Sequence, residues 1–276
     1  MNRHLAHRTS PIALLASLWS HRSLIGQLVK REILGRYRGS IFGLAWSFFN
    51  PVLMLVVYTF VFSVVFEARW GVKANSSRAD FAMLLFIGLI VHGFFAECLT
   101  RAPSLILENV NFVKKVVFPL EILPIVAMGS AFFHSMISLL VLVIALEISH
   151  AGLPLTALYT PVVFLPLMLA TAGFAWFLTS LGVFARDVKQ VIGIAMTILL
   201  FLSPVFYPIS SVPVGFQAWL LANPLTFIIE QSRGVLFFGQ GPDWGGILAY
   251  AATSVLVAWV GFAWFQKTRK GFADVV

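Results

Sequence analysis

Charge is scarce in this sequence, and acid scarcer still. Of 276 residues 19 are Lys or Arg and 11 are Asp or Glu, 11% in all, against about a quarter in ordinary soluble domains. So little charge excludes a water-soluble fold of this length. Cysteine is almost missing too. The lone Cys98 rules out an internal disulfide framework, a CxxC redox pair and a Cys/His zinc cluster. Phosphate-cradling and hydrolytic motifs are absent: there is no GxxxxGK[ST] loop, no HExxH and no GxSxG. The only lysine followed by Ser or Thr, Lys267 before Thr268, has Gln266 where that loop needs glycine. The chain therefore reads as a non-enzyme with no cofactor of its own. His4 and His7 lie one helical turn apart, but two imidazoles make an incomplete metal site, and no metal is expected.

Hydrophobic length is what the sequence has instead. Apolar residues make up 59% of the chain, and they are spread along it. Six runs, residues 42–66, 81–99, 120–148, 161–185, 188–207 and 247–265, reach the roughly 20 residues that cross about 30 Å of hydrocarbon. They predict an all-α integral membrane protein with six transmembrane helices. An even count puts both termini on one side. Fifteen of the Lys and Arg residues fall within 1–41, 101–115, 186–189 and 267–276, and only Arg69, Lys73, Arg78 and Arg233 fall on the other side. That asymmetry makes both ends cytoplasmic. The net charge of +8 thus marks topology. The basic residues form no patch with interleaved aromatics, and no nucleic-acid partner is expected.

Residues 1–20 read as a retained cytoplasmic tail, because the apolar stretch there is short and lacks a small-residue cleavage site. In 23–38, Leu24, Ile25, Leu28, Val29 and Ile33 recur at helical spacing, while Gln27, Lys30, Arg31 and Arg38 take the other side. This predicts an amphipathic helix in the membrane interface, or a soluble surface helix. The domain plan is therefore 1–41 tail and interface helix, 42–266 transmembrane domain, 267–276 cytoplasmic tail. Residues 208–246 are too apolar for a free loop and too interrupted, by Pro213, Pro224 and several glycines, for a span. Short re-entrant helices in the outer leaflet fit both constraints; a packed loop is the alternative. His92 and His134 fall near the middle of their spans, where a polar side chain needs a partner or water. They face a channel or each other, or they form structural interhelical hydrogen bonds. Glu97, Glu121 and Glu147 lie near span ends and read as interfacial.

Two stretches carry a resemblance. The first is VKREILGRYRGSIFGLAWSFFNPVLMLVVYTFVFSVVF from Val29, with its basic Arg36, Tyr37, Arg38 motif. The second runs through Arg186 and Asp187, then Ser203, Pro204, Phe206, Tyr207 and Pro208, then Pro213, Asn223, Pro224 and Arg233. In order and spacing they resemble the permease subunits of ABC-2 type polysaccharide exporters, which carry O-antigen, capsular polysaccharide or teichoic acid. The resemblance implies a homodimer in the bacterial inner membrane, working with two copies of a cytoplasmic ATP-binding subunit that holds the ATP and Mg. It implies a polysaccharide or glycolipid substrate, membrane lipids around the spans and periplasmic export proteins as further partners. It places a coupling helix at residues 103–118, with Leu105, Glu108, Asn111, Lys114 and Lys115 as contact candidates. The turn at Arg186, Asp187 and Lys189 is a second contact; positive-inside anchoring is the plainer reading of both. Ser203, Pro204, Tyr207, Pro208, Asn223, Pro224 and Arg233 then form an outer gate region.

A sliding glycan needs aromatic platforms and weak polar contacts. On an ideal helix Phe42, Trp46, Phe49 and Phe60 fall within about 60° of one another, with Phe48, Tyr58, Phe62 and Phe66 on the other side. The first set is the candidate channel lining, the second the lipid-facing side; packing aromatics are the alternative for both, and Pro51 can blur the wheel. An ABC-2 permease for a small hydrophobic drug or lipid is the rival function. An ion-coupled transporter wants midspan carboxylates and repeated halves, and a membrane glycosyl transferase wants a soluble acidic catalytic region; neither pattern is present.

Overall fold

The computed structural model describes residues 10–65, 78–114, 118–149 and 152–275, and among these every regular element is helical. Two short helices, α1 (Pro11–Ser20) and α2 (Arg22–Arg36), lead to α3 (Trp46–Tyr58), which continues to Val65 in wider π-helical turns. Next come α4 (Arg78–Arg101), the short α5 (Leu105–Glu108) and α6 (Val110–Lys114), then α7 (Leu123–Ile148) and α8 (Thr160–Phe184). The chain ends with α9 (Val188–Leu202), α10 (Val214–Ala222), α11 (Pro224–Leu236), α12 (Trp244–Thr268) and α13 (Phe272–Val275).

Among the described residues five helical stretches are long and apolar enough to cross a bilayer: Gly43–Phe62, Ala79–Glu108, Leu120–Ile148, Leu155–Phe184 and Trp244–Val275. The span expected at 188–207 is instead the 15-residue α9, about 22 Å long at 1.5 Å per residue. Pro204 sets its end. A residue before proline is pushed out of the helical region, and Ser203 is extended at φ −94°, ψ 151°. The end of the first expected span, Phe66, lies outside the described residues, as do His4, His7 and Lys115.

The helix α4 is the axis of the packing. From Phe81 to Leu99 it is buried almost throughout, touching α3, α7, α8, α9 and α11. The tightest pair is α8 with α12, where a Cβ on Gly173 or Gly261 would run into the facing backbone. Their backbones therefore touch, the geometry that small residues permit between membrane helices. Among the described residues α3 buries only Ser47 and Pro51, and α9 only Met196.

Helices occupy described parts of both segments expected to be tails. From Pro11 onward the expected N-terminal tail is α1, capped where Ser10 Oγ accepts from the Ala13 amide at 3.2 Å. Proline at the first helical position and this cap start the helix there. The apolar face of α2 packs on protein. Its Leu28 is buried with Leu14 and Val126, and Val29 sits so close to Gly129 of α7 that a Cβ there would lie 2.7 Å from it. The C-terminal segment likewise folds back, with Phe272 fully buried against Phe265 and Phe184.

Candidate functional site

The aromatic arc of α3 forms in part. Phe42 meets Trp46 edge-on at 5.5 Å and Phe49 at 6.0 Å, the geometry the ring quadrupole favours. With Val52, Leu53 and Val56 they line a shallow groove of about 370 Å³, and exposures of 57% for Phe42, 43% for Trp46 and 49% for Phe49 leave all three side chains accessible. Phe60 is open too, at 58%, but lies outside that groove. Pro51 sits inside the helix and π-turns begin at Thr59, so the ideal wheel loses its phase there. The opposite side does not meet lipid as expected at Phe62, which stacks on Phe81 at 5.5 Å and on Phe206 at 6.1 Å.

A polar cluster joins the basic motif to the membrane interior. Arg36 Nη2 pairs with Glu97 Oε1 at 2.7 Å, and Arg36 Nη1 lies 2.7 Å from His134 Nδ1. Tyr37 hydroxyl is 3.2 Å from His134 Nε2, and its ring meets the imidazole edge-on at 6.1 Å. Burial raises the Tyr37 pKa above its usual value, with Arg36 opposing and Glu97 adding, so the phenol stays protonated at neutral pH. The cluster borders a polar cavity of about 220 Å³ that Asn50 and Ser138 also line. Arg38, third in the motif, is exposed. Glu97, read from the sequence as interfacial, is a member of this cluster. A carboxylate one turn inside a span, in a chain with so few acids, was its only signal.

The two midspan histidines do not meet. His92 is buried, and its Nε2–H donates to the Met196 carbonyl at 3.0 Å, tying α4 to α9. This is the interhelical hydrogen bond of the structural alternative.

The outer residues converge. Asn223 Nδ2 donates to Ser203 Oγ at 2.9 Å and to the Leu202 carbonyl at 3.2 Å, while its Oδ1 accepts from the Leu225 amide at 2.9 Å. One side chain thus caps the end of α9 and the start of α11, where Pro224 occupies the first helical position. Arg233 is fully buried. It donates to the Leu84 and Val205 carbonyls at 3.0 and 2.9 Å and pairs with Glu230 at 2.7 Å. Pro204 and Pro208 bracket the turn that Arg233 holds, and the half-buried Tyr207 donates to the Phe201 carbonyl at 2.9 Å.

On the other membrane side, the segment from Leu105 to Lys114 shows two faces. Leu105 and Ile106 are buried, and Glu108, Asn111 and Lys114 are exposed. Spaced by three, these polar residues form one outward stripe. Arg186 and Asp187 are exposed at the turn between α8 and α9. Glu121 and Arg269, whose carboxylate and guanidinium pair at 2.7 Å, were not singled out as site residues. Nothing local in the sequence joins them.

Comparison with known proteins agrees with this architecture. The profile of the ABC-2 type transporter family matches residues 23–237. The chain is 28% identical over 268 residues to the O-antigen export system permease protein RfbA of Myxococcus xanthus, covering 96% of this chain and 100% of that protein. It is 24% identical to an O-antigen export system permease protein RfbA of Klebsiella pneumoniae, over 92% and 95% of the two chains. To the polysialic acid transport protein KpsM of Escherichia coli it is 23% identical, over 88% and 92%.

Proposed function

The chain belongs to the ABC-2 type transporter family, and from that premise we propose that it is the membrane subunit of an exporter of lipid-linked polysaccharide, such as an O-antigen or a capsular polysaccharide. The observation that carries this reading is the open aromatic groove of Phe42, Trp46 and Phe49 on the least packed membrane helix. Exposed rings suit the apolar C–H faces of sugars, and a shallow groove lets a chain slide where a deep pocket would hold it. With Ser47 and Pro51 alone buried, α3 keeps a surface free for a second copy of the chain, and α9 does the same. Two copies then enclose the path between them.

ATP hydrolysis belongs to two copies of a separate subunit on the cytoplasmic side, which hold the ATP and Mg. The exposed stripe of Glu108, Asn111 and Lys114, with Arg186 and Asp187, is the docking face for that subunit. Six crossings follow if α9 counts as a short one, completed by the turn at Ser203 and Pro204. The short α10 and α11 then dip into the outer leaflet, both termini are cytoplasmic, and the inner membrane is the site of action.

One observation favours the rival reading. A groove of about 570 Å³ between α7 and α8, lined by Phe132, Met136, Leu139, Phe164, Leu165 and Met168 among others, is apolar enough for a small hydrophobic compound. Reconstitution with the ATP-binding subunit separates the two. ATP-driven transfer of lipid-linked polysaccharide across the vesicle, read by lectin accessibility, is the expected result. Transfer of a hydrophobic dye without any of the glycan overturns it.

A further inference from the structure

The described chain on either side of the segment from Leu105 to Lys114 is fixed to α8. Where it begins, the turn at Pro103 lies so close to Gly182 of α8 that a Cβ has no space there. At the turn that leads into α7, Glu121 is buried at 7% exposure and gathers three other segments. Its Oε1 accepts from Ser17 of α1 at 2.8 Å, and its Oε2 accepts from Arg269, just beyond α12, at 2.7 Å. Its backbone carbonyl accepts from the Trp176 indole of α8 at 2.8 Å. Arg269 closes the knot by donating its other nitrogen to the Phe118 carbonyl at 2.8 Å. Thus one guanidinium holds both a side chain and the backbone of this turn.

These contacts sit on a stiff support. The backbones of α8 and α12 touch at Gly173 and Gly261, so the pair moves as one body. Phe272 extends the same support, packed against Phe184 and Phe265 with α13 lying beside α6. An ion pair whose carboxylate is buried with both oxygens engaged resists displacement, because moving its partner strands that carboxylate in a poorly solvated place.

We infer that Glu121 and Arg269 are positioning residues for energy coupling: they carry displacement of the segment from Leu105 to Lys114 into the α8–α12 pair. They touch neither glycan nor the ATP-binding subunit. The inference rests on the reading of that segment as the docking face for the ATP-binding subunit.

The test uses the full chain with its ATP-binding subunit in proteoliposomes, loaded with lipid-linked polysaccharide extracted from producing cells. Glycan exported per ATP hydrolysed is the readout, since a merely structural defect lowers both quantities together. Arg269→Gln and Glu121→Gln each leave ATP hydrolysis within about twofold and lower export per ATP about tenfold, the scale of one lost charge-assisted hydrogen bond. Arg269→Lys keeps the charge but cannot bridge Glu121 and the Phe118 carbonyl in one planar fork, and it gives a smaller drop of about threefold. It serves as the second variant should the glutamine variants fail to assemble. An unchanged ratio, or loss of hydrolysis and export in equal proportion, in an assembled Arg269→Lys complex overturns the positioning role. A separate arm examines the underlying reading. Asn111→Cys should crosslink to the ATP-binding subunit, and absence of that crosslink in an exporting complex overturns the docking assignment independently of the ratio.

Discussion

Arg233 donates its Nε–H to the carbonyl of Leu84 at 3.0 Å, across 149 residues of sequence. Gly88, one turn beyond Leu84, makes the approach possible: a Cβ there would lie 3.3 Å from the guanidinium and 3.2 Å from the Val205 backbone. The same side chain pairs with Glu230 and bonds Val205, so one residue of α11 binds α4 to the turn after α9. Replacing Arg233 by Leu leaves Glu230 without this partner and removes both carbonyl contacts. The expected cost is about 2 kcal/mol or more, the scale for leaving hydrogen-bonding groups without their partner, since Glu230 at 38% exposure keeps part of its hydration. Thermal unfolding of the detergent-solubilised protein measures it. A stability equal to that of the unaltered protein refutes the assignment.

The two aromatic sides of α3 should separate in one experiment. Trp46 is open and Phe62 is stacked on Phe81 and Phe206. Trp46→Ala is expected to lower export several-fold while the amount of folded protein stays normal, each ring contact being worth about 1 kcal/mol. Phe62→Ala should instead lower stability by about 3 kcal/mol or more. Export assays run beside yield and melting measurements check both. Equal loss of folded protein in the two variants would make Trp46 a packing residue.

Gly173 faces the α12 backbone with no room for a side chain. Gly173→Val therefore forces α8 and α12 apart. A clear loss of monodisperse protein on size-exclusion chromatography is expected. Gly193, with open space around its Cα, is the control. Gly193→Ala should behave like the unaltered chain, since its surroundings accept a methyl group and a helix interior favours alanine by about 1 kcal/mol.

Topology can be read without removing the native thiol. Cys98 is buried and should stay silent to impermeant maleimide. Asn111→Cys and Glu108→Cys, both at exposed positions, are expected to label only from the cytoplasmic side. Val214→Cys on α10, at 83% exposure, should label from outside or be shielded by lipid. Labelling of Asn111→Cys in intact cells with a sealed inner membrane contradicts the orientation.

The helical class and most of the spans were legible in the sequence because hydropathy over some 20 residues depends on composition alone. The shortness of α9 depended on one residue, Pro204, whose effect on Ser203 outweighed an apolar run continuing to Tyr207. The groove of Phe42, Trp46 and Phe49 was legible from spacing of three and four. Phe60 was not, because a proline and π-turns intervene and shift the helical phase. Converging residues such as Asn223 and Ser203 were visible only as an ordered pattern, whereas their hydrogen bonds needed the fold. Least legible was the pairing of Glu121 with Arg269, 148 residues apart. A charge in a sparse sequence announces that it needs a partner, but not which one.

The separation of Arg233 from Leu84 also sets a timetable for synthesis. The ribosome delivers α3 early, and its lipid-compatible surface lets it leave the insertion machinery alone. The enclosed α4 follows, yet the guanidinium that reaches its Leu84 carbonyl emerges only after α7, α8 and α9 have been made. Until then the Leu84 carbonyl lacks this partner, and a chain that stops before α11 lacks the side chain that ties α4 to the turn after α9.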